Sequence, residues 1–366
     1  MYAYSDMRAS CHCIFFLEEH RMNTYFFLGA NSESGFYSLY NHFCSGPADL
    51  LHIIKGGPGT GKSTFMRRIG SAAEERGLDV DYILCSGDPE SLDGVYIPAL
   101  HTGWADGTAP HVLEPRIFGT AGDYTDLGRF CDTALPARCS DLIEALTVSY
   151  RRCYQNAYAY LAAAGSLRRR SFATLSPDME RKLRKRARSK IKRELHSDIS
   201  APPVKRFISA VSCQGHYFTE QTLNALCERL CVLESHFGLE QLFFEEILRE
   251  LVREQSNYIL CPDPLCPDFI QAIILPNEKL CFIAAHSPLT FTGPVRTIHL
   301  DTYLPHGKTN ENELRENLIE QLMNAAYFQL RSAKKLHDDL EACYRPALNI
   351  DALNDYTDTV ISKLFP

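Results

Sequence analysis

A short glycine-rich segment is the part of the sequence whose residue types and spacing best suit chemistry. It reads GGPGTGKS over residues 56–63 and fits the pattern GxxxxGK[ST] at every position. Glycines let successive backbone N–H groups turn inward around an anion, and a following helix adds the positive end of its dipole. The segment therefore predicts a loop that holds the phosphates of a nucleotide.

The expected ligands of this loop are ATP and Mg²⁺. Lys62 is expected to reach the β- and γ-phosphates and to act in catalysis, and the Ser63 hydroxyl is expected to bind Mg²⁺. The predicted nucleotide contacts come from the loop and the first helical residues, namely Gly57, Pro58, Gly59, Thr60, Gly61, Lys62, Ser63 and Thr64.

Such a loop needs a strand before it and a helix after it. Residues 50–54, LLHII, predict a buried parallel strand. Residues 62–77 predict an amphipathic helix that ends at Gly77. The local context is therefore strand, loop and helix.

A carboxylate is also needed near the loop to hold Mg²⁺ through water. Asp106 is the first candidate for this metal and catalytic role, because a short strand ending at Ala105 would present it beside the loop. Asp88 is the second candidate and could act as a catalytic base, although its Asp-Pro sequence equally predicts a simple turn. Asp93 is the third. His111 could contact the γ-phosphate or a substrate, but an ordinary loop histidine is the favoured interpretation.

The chain contains an internal repeat. Three segment pairs recur in the same order: 27–39 with 207–219, 82–85 with 258–261, and 141–146 with 317–322. The first pair is 180 residues apart and the other two are 176 apart, so four residues are missing from the second copy. Ordered matches at nearly constant spacing indicate a tandem duplication.

The second copy lacks the residues that would bind phosphate. The four missing residues fall between Tyr217 and Tyr258, where the first copy has its glycine-rich loop, so we predict that the second loop is deleted. Aligning residues 109–110 with 287–288 places Ala284 opposite Asp106. The half without the lysine is thus predicted to lack the carboxylate as well.

The repeat defines the predicted domains. Residues 1–21 have no counterpart in it and form an extension that need not be native, with Met22 as an alternative start. Residues 22–200 are predicted to be a P-loop NTPase domain with a basic helical extension, and residues 201–366 a degenerate P-loop-like domain.

Composition indicates a cytoplasmic globular protein. The chain has 366 residues, 45% of them hydrophobic, and no apolar run approaches the ~20 residues of a membrane span. Its 14 cysteines are scattered without the paired spacing of a zinc site, which favours reduced thiols.

A basic segment stands out against the net charge of −7. Residues 151–195 contain 14 arginines and lysines against three acidic residues. One interpretation is a nucleic-acid contact, but residues 178–195 contain no aromatic side chain for base stacking. We favour a helical connector attracted to the acidic remainder of the chain, and an arginine finger from residues 168–170 is a third option.

The phosphate loop, the segments CSGDPESLDG and DGTAPH, and the weak second copy together resemble a family of duplicated P-loop ATPases of Gram-positive bacteria, described as hypothetical ATP-binding proteins. The resemblance covers nearly everything after Met22 and implies a P-loop NTPase fold with ATP as ligand. Family members often keep a phosphate loop in both halves, whereas this chain keeps one.

We therefore expect two tandem α/β domains, each a mainly parallel sheet flanked by helices, with helical extensions at 140–195 and 312–340. The leading function is Mg-dependent ATP hydrolysis in the first half, regulated by the second. One alternative is a small-molecule or nucleotide kinase with Asp88 as base and 86–111 as acceptor pocket. Another is a nucleotide-dependent switch that binds a partner or, less favoured, nucleic acid; no membrane contact is expected.

Overall fold

The chain folds into two similar halves that are joined by long helices. The computed structural model describes residues 22–109, 112–195, 203–284, 290–304 and 310–366. The predicted N-terminal extension and His111 lie outside these described residues.

The first half contains the glycine-rich loop between a strand and a helix. Its strands, in chain order, are β1 (Thr24–Phe27), β2 (Gly29–Ser32), β3 (Gly35–Ser38), β4 (Leu50–Lys55), β5 (Asp81–Leu84), β6 (Leu92–Ile97), β7 (Thr102–Asp106) and β8 (Gly122–Asp126). Its helices are α1 (Lys62–Glu74), α2 (Ala134–Ala137), α3 (Ser140–Arg169) and α4 (Pro177–Glu194).

The second half repeats this order of elements. Its strands are β9 (Val204–Lys205), β10 (Ser209–Ser212), β11 (Gly215–Phe218), β12 (Arg229–Glu234), β13 (Ile259–Pro262), β14 (Ile270–Leu275), β15 (Leu280–Ala284) and β16 (Val295–His299). Its helices are α5 (Glu220–Leu226), α6 (Leu239–Arg253), α7 (Asn310–Tyr344) and α8 (Ile350–Leu364).

The two main sheets have the same topology. The strand order is β1-β5-β6-β7-β4-β8 in the first half and β9-β13-β14-β15-β12-β16 in the second. The prediction of two α/β units with mostly parallel sheets is confirmed. Each sheet also contains one antiparallel strand, β6 or β14, because its connections to the neighbouring strands are too short for a parallel crossover.

Strand β4 and helix α1 form as their sequences predict. β4 is central and pairs in parallel with β7 and β8, and Ile53 and Ile54 are fully buried. Helix α1 buries Phe65, Met66 and Ile69 on one face. It ends at Glu74, slightly earlier than predicted, and Gly77 then takes a left-handed conformation with φ of 76°.

Each half contributes one helix to the other. Helix α4 belongs to the first half of the chain, yet Leu183 and Ile191 are buried in the core of the second half with Phe243 of α6. Helix α8 belongs to the second half and packs on α1, where the ring of Tyr356 stacks on Phe65 at 6.1 Å. The predicted boundary near residue 200 therefore separates the two sequence repeats. It does not separate the two hydrophobic cores, because each core includes a helix from the other repeat.

Contacts between the halves join residues that are equivalent in the repeat. Phe27 and Phe207 exchange both backbone hydrogen bonds, at 2.8 and 2.9 Å. The Asn31 amide donates to the carbonyl oxygen of Val211 at 2.8 Å. Contacts between equivalent positions are typical of a two-fold interface, so the halves are related by an approximate two-fold axis.

The long helices α3 and α7 pack lengthwise and complete the junction. Their contact buries Ala157, Leu161 and Ala164 of α3 with Ala326 and Leu330 of α7. Within the described part of the chain, no helix is both long enough and apolar enough to span a bilayer.

Candidate phosphate-binding site

The glycine-rich loop occupies residues 56–61, directly between β4 and α1. Gly59 and Gly61 have φ angles of 68° and 82°, in the left-handed region that side chains disfavour. The predicted strand, loop and helix context is confirmed, and these two glycines account for the tight turn.

The loop presents backbone donors that lack protein acceptors. Within the described residues, no oxygen accepts a hydrogen bond from the N–H groups of Gly57, Gly59, Thr60, Gly61, Lys62 and Ser63. The first bond of α1 runs only from the Phe65 N–H to the carbonyl of Gly61. The first N–H groups of a helix have no partner within the helix, and here the glycine-rich turn adds further N–H groups beside them, which is an arrangement that can receive an anion.

Lys62 lies across the loop. Its Nζ donates to the carbonyl oxygens of Gly56 at 2.9 Å and Gly57 at 3.0 Å. The same Nζ lies 3.6 Å from Oδ2 of Asp106, and only 13% of the lysine side chain is exposed. A phosphate oxygen would be a stronger acceptor than these neutral carbonyls.

Asp106 is the last residue of β7 and lies beside the loop strand, opposite Ile54. The structure thus brings the first carboxylate candidate to Lys62. Its Oδ1 accepts from the Thr108 N–H at 2.8 Å and the Thr108 hydroxyl at 2.6 Å. Burial raises the pKa of the Asp106 carboxyl, and the Lys62 ammonium opposes this rise.

We expect Asp106→Asn to weaken Mg-ATP binding by about 10–100-fold, since a carboxylate near a metal is replaced by a neutral amide. The thermal midpoint of the ligand-free variant should be unchanged or higher. Burial raises the folded pKa of Asp106, so its negative charge costs stability above that pKa, and asparagine removes the charge. Calorimetric titration with and without Mg²⁺, together with thermal unfolding, measures both effects.

Asp123→Asn is a suitable control, because Asp123 lies on the neighbouring strand β8 and is paired with His52. The metal role of Asp106 would be contradicted if both variants bound Mg-ATP as the unmodified protein does.

The other predicted loop residues have distinct positions. The Ser63 hydroxyl accepts from the Leu92 N–H at 2.9 Å, and the buried Thr60 hydroxyl donates to the carbonyl of Gly57 at 2.8 Å. Thr64 is exposed on the first turn of α1. Pro58 has no N–H group and shapes the loop without donating to a ligand.

Asp88 and Asp93 are held by other contacts. Asp88 accepts from the Glu90 N–H and the Ser91 hydroxyl, and it lies 3.4 Å from the Lys334 ammonium. These bonds support the turn interpretation of Asp88, while its role as a base stays a prediction. Asp93 is buried and accepts from the Tyr40 hydroxyl at 3.0 Å.

A helical elbow from the second half, residues 341–353, covers the loop. A β-carbon built on Gly59 would lie 3.1 Å from the carbonyl oxygen of Glu341, and one built on Gly61 would lie 2.7 Å from Cδ2 of Leu353. The elbow therefore contacts the loop at its two left-handed glycines.

The elbow also binds the segment that follows β8. The Asp132 N–H donates to the carbonyl of Ala347, and the Asn349 N–H donates to the carbonyl of Phe130, both at 2.8 Å. Sequence reasoning missed this element. Pro346 and the cap residue Asn349 signal a break between two helices, but no local pattern indicates that the break rests on a loop nearly 300 residues earlier in the chain.

The second loop is shortened, so the prediction of a deletion is wrong. The connection between β12 and α6 persists as residues 235–238 and ends, like the first loop, at a left-handed glycine, Gly238. It has four residues where the first loop has six. The other two missing residues are lost outside the loop, which the spacing of the matched segments could not reveal.

The predicted lysine, serine and carboxylate positions of the first half are all changed in the second half. Leu239 begins α6 where Lys62 begins α1, and Glu240 follows it in place of Ser63. Ala284 is the last residue of β15 and lies opposite Leu233 of β12. Asp106 is the last residue of β7 and lies opposite Ile54 of β4 in the same way. The predicted correspondence of Ala284 with Asp106 is confirmed by this register.

The basic helix α4 faces an acidic helix of the second half. Arg188 contacts Glu246 and Glu250 of α6, and Arg184 contacts Glu245 at 3.1 Å. This pairing agrees with the interpretation of a connector attracted to acidic parts of the chain.

Two of the three arginines proposed as an arginine finger pair with acidic residues outside the Lys62 loop. Arg168 pairs with Asp263 at 2.7 Å and Arg169 pairs with Glu33. The segment that follows them contacts the second loop, where the Ala173 N–H donates to the carbonyl of Phe237 at 3.0 Å.

Comparison with known proteins adds no identification. No protein family, no curated protein and no solved structure matches this chain.

Proposed function

We propose that the first half binds one Mg-ATP at residues 56–64 and hydrolyses it, as a P-loop NTPase with a degenerate second half. The observation that carries the proposal is the ring of backbone donors to which the described part of the chain offers no acceptor, adjacent to the Lys62 ammonium and the Asp106 carboxylate. This combination suits a triphosphate, because donors and a cation meet the phosphates while a carboxylate is available for the metal.

The proposed roles of the residues follow from their positions. The loop N–H groups hold the β- and γ-phosphates, and Lys62 exchanges the carbonyls of Gly56 and Gly57 for phosphate oxygens. Ser63 and Asp106 hold Mg²⁺, which neutralises charge that builds up on the phosphates. Both residues are close to the loop, and both are absent from the second half.

Hydrolysis is favoured over transfer to an acceptor. The kinase alternative needs Asp88 as a free base, yet its oxygens bind the Glu90 N–H and the Ser91 hydroxyl, and Lys334 lies next to it. In the kinase alternative, residues 86–111 form an acceptor pocket. The described part of this segment, residues 86–109, instead supplies β6 and β7 of the main sheet of the first half.

The second half is proposed to sense the nucleotide through the elbow. Glu341 and Leu353 lie against Gly59 and Gly61, so a ligand that repositions the loop also acts on α7 and α8. Since α7 packs along α3, such a movement would change the junction between the halves.

Isothermal titration of the intact chain with Mg-ATP tests the proposal. We expect one nucleotide per chain and no binding in Lys62→Ala. Absence of binding, or two equivalent nucleotides per chain, would overturn it, because the second half has no equivalent of Lys62, Ser63 or Asp106.

A further inference from the structure

Two positions beside the loop differ in a systematic way between the halves. In the first half, the Leu127 N–H donates to the carbonyl of Lys55, the last residue of the loop strand. In the second half, the Leu300 N–H donates to the carbonyl of Glu234, which also ends its loop strand. The equivalent bonds fix the residues that follow: Gly56 corresponds to Ser235, and Gly128 corresponds to Asp301.

In the second half, the serine and the aspartate fill the loop. The Asp301 carboxylate accepts from the His236 N–H at 3.1 Å and from the Ser235 hydroxyl at 2.8 Å. The Ser235 oxygen in turn accepts from the N–H groups of Phe237 and Leu239, at 3.1 and 3.2 Å. The loop donors of this half are therefore bound to oxygens of the protein, one of them anionic.

In the first half, the same two positions carry no side chain. Gly56 and Gly128 are neighbours. A β-carbon built on Gly128 would lie 3.0 Å from Oδ1 of Asp126 and 3.7 Å from Cα of Gly56, and one built on Gly56 would lie 2.6 Å from Oγ1 of Thr60. Neither glycine has a positive φ, so backbone conformation does not require glycine here. What the two glycines share is that they add no side-chain oxygen to a loop whose N–H groups have no acceptor among the residues that the structure describes.

We propose that Gly128 and Gly56 determine which half accepts the phosphates, and that the Ser235–Asp301 pair is an internal occupant of the second loop. The inference rests on the proposed function of the first loop. A carboxylate tethered beside the loop satisfies the donors without a ligand and repels an incoming phosphate. Glycine at the same position adds no side-chain oxygen and leaves the loop N–H groups available for the nucleotide.

The first test places an internal carboxylate beside the first loop. Gly128→Asp is expected to weaken Mg-ATP binding by at least about 100-fold, through repulsion between like charges. The matched control is Gly128→Asn, which has the same shape without the charge and should lose much less affinity. Thermal unfolding of both variants shows that each remains folded. Equal losses of affinity in the two variants, or none in Gly128→Asp, would overturn the inference.

The second test does not depend on nucleotide binding. In the Lys62→Ala background, which removes the cation of the first loop, Asp301→Gly should lower the thermal midpoint because donors of the second loop lose their acceptor. Inorganic phosphate should restore part of this loss, and chloride at matched ionic strength should not. The inference is overturned if the midpoint does not fall, or if phosphate stabilises the variant no more than its Lys62→Ala parent.

The two tests separate the inference from the proposed function. If the unmodified protein binds no Mg-ATP, the proposed function fails, while phosphate rescue of Asp301→Gly still reports on the internal occupant. If the protein binds Mg-ATP but Gly128→Asp binds it equally well, only the inference fails.

Discussion

Lys62→Ala is expected to reduce release of phosphate from ATP by at least about 100-fold, since a positioned cation at the site of developing charge contributes that much or more to catalysis. The reason lies in the geometry of the loop. Lys62 is the cation that lies across the ring of donors, and it is also the counter-charge of Asp106 at 3.6 Å. Colorimetric detection of phosphate, at a Mg-ATP concentration that saturates the unmodified protein, measures the effect.

Lys185→Ala is the matched control. Lys185 is an exposed lysine of α4, so its removal changes the net charge equally without touching the loop. Both variants should be purified in the same way, which controls for a contaminating ATPase. Hydrolysis in Lys62→Ala at the rate of Lys185→Ala would count against the proposed function.

Arg168→Ala is expected to lower the free energy of unfolding by about 3 kcal/mol or more, the range measured when one partner of a buried ion pair is removed. Asp263 is only 4% exposed, and its Oδ2 accepts from Arg168 at 2.7 Å. Without the guanidinium, this buried carboxylate loses the cation that balances its charge. Urea unfolding followed by circular dichroism measures the change.

A more exposed ion pair provides a control for this prediction. Asp88 faces Lys334 of α7, but this pair is 3.4 Å apart and the lysine is 32% exposed. Lys334→Ala should therefore cost less than about 1 kcal/mol, as for other solvent-exposed pairs. The burial argument is refuted if the two variants are destabilised equally.

The parts of the site that the sequence predicts are those encoded over short distances. The loop between β4 and α1 follows from an unbroken pattern of glycines, lysine and serine. Asp106 was identified because a strand end places it next to the loop strand, and the second copy carries Ala284 in the same register. Repetition of the topology followed from matched segments that recur in order.

The parts that sequence reasoning missed depend on long-range packing. The elbow reaches Gly59 and Gly61 from residues 341–353, and helix-forming patterns do not indicate which surface a helix will cover. Strand β6 is likewise not indicated by the sequence, in which residues 86–111 are assigned to a pocket. Ser235 and Asp301 are 66 residues apart, and their meaning emerges only when the hydrogen bonds of the two halves are compared.

The exchange of α4 and α8 has a consequence for how the protein can be divided. A fragment ending near residue 195 would keep α4 without the surface that buries Leu183 and Ile191, and its α1 would lose Tyr356. The complementary fragment would keep α8 without α1, and its core would lack Leu183 and Ile191. The polypeptide is in effect a covalently linked dimer with swapped arms, in which neither subunit is complete without the other.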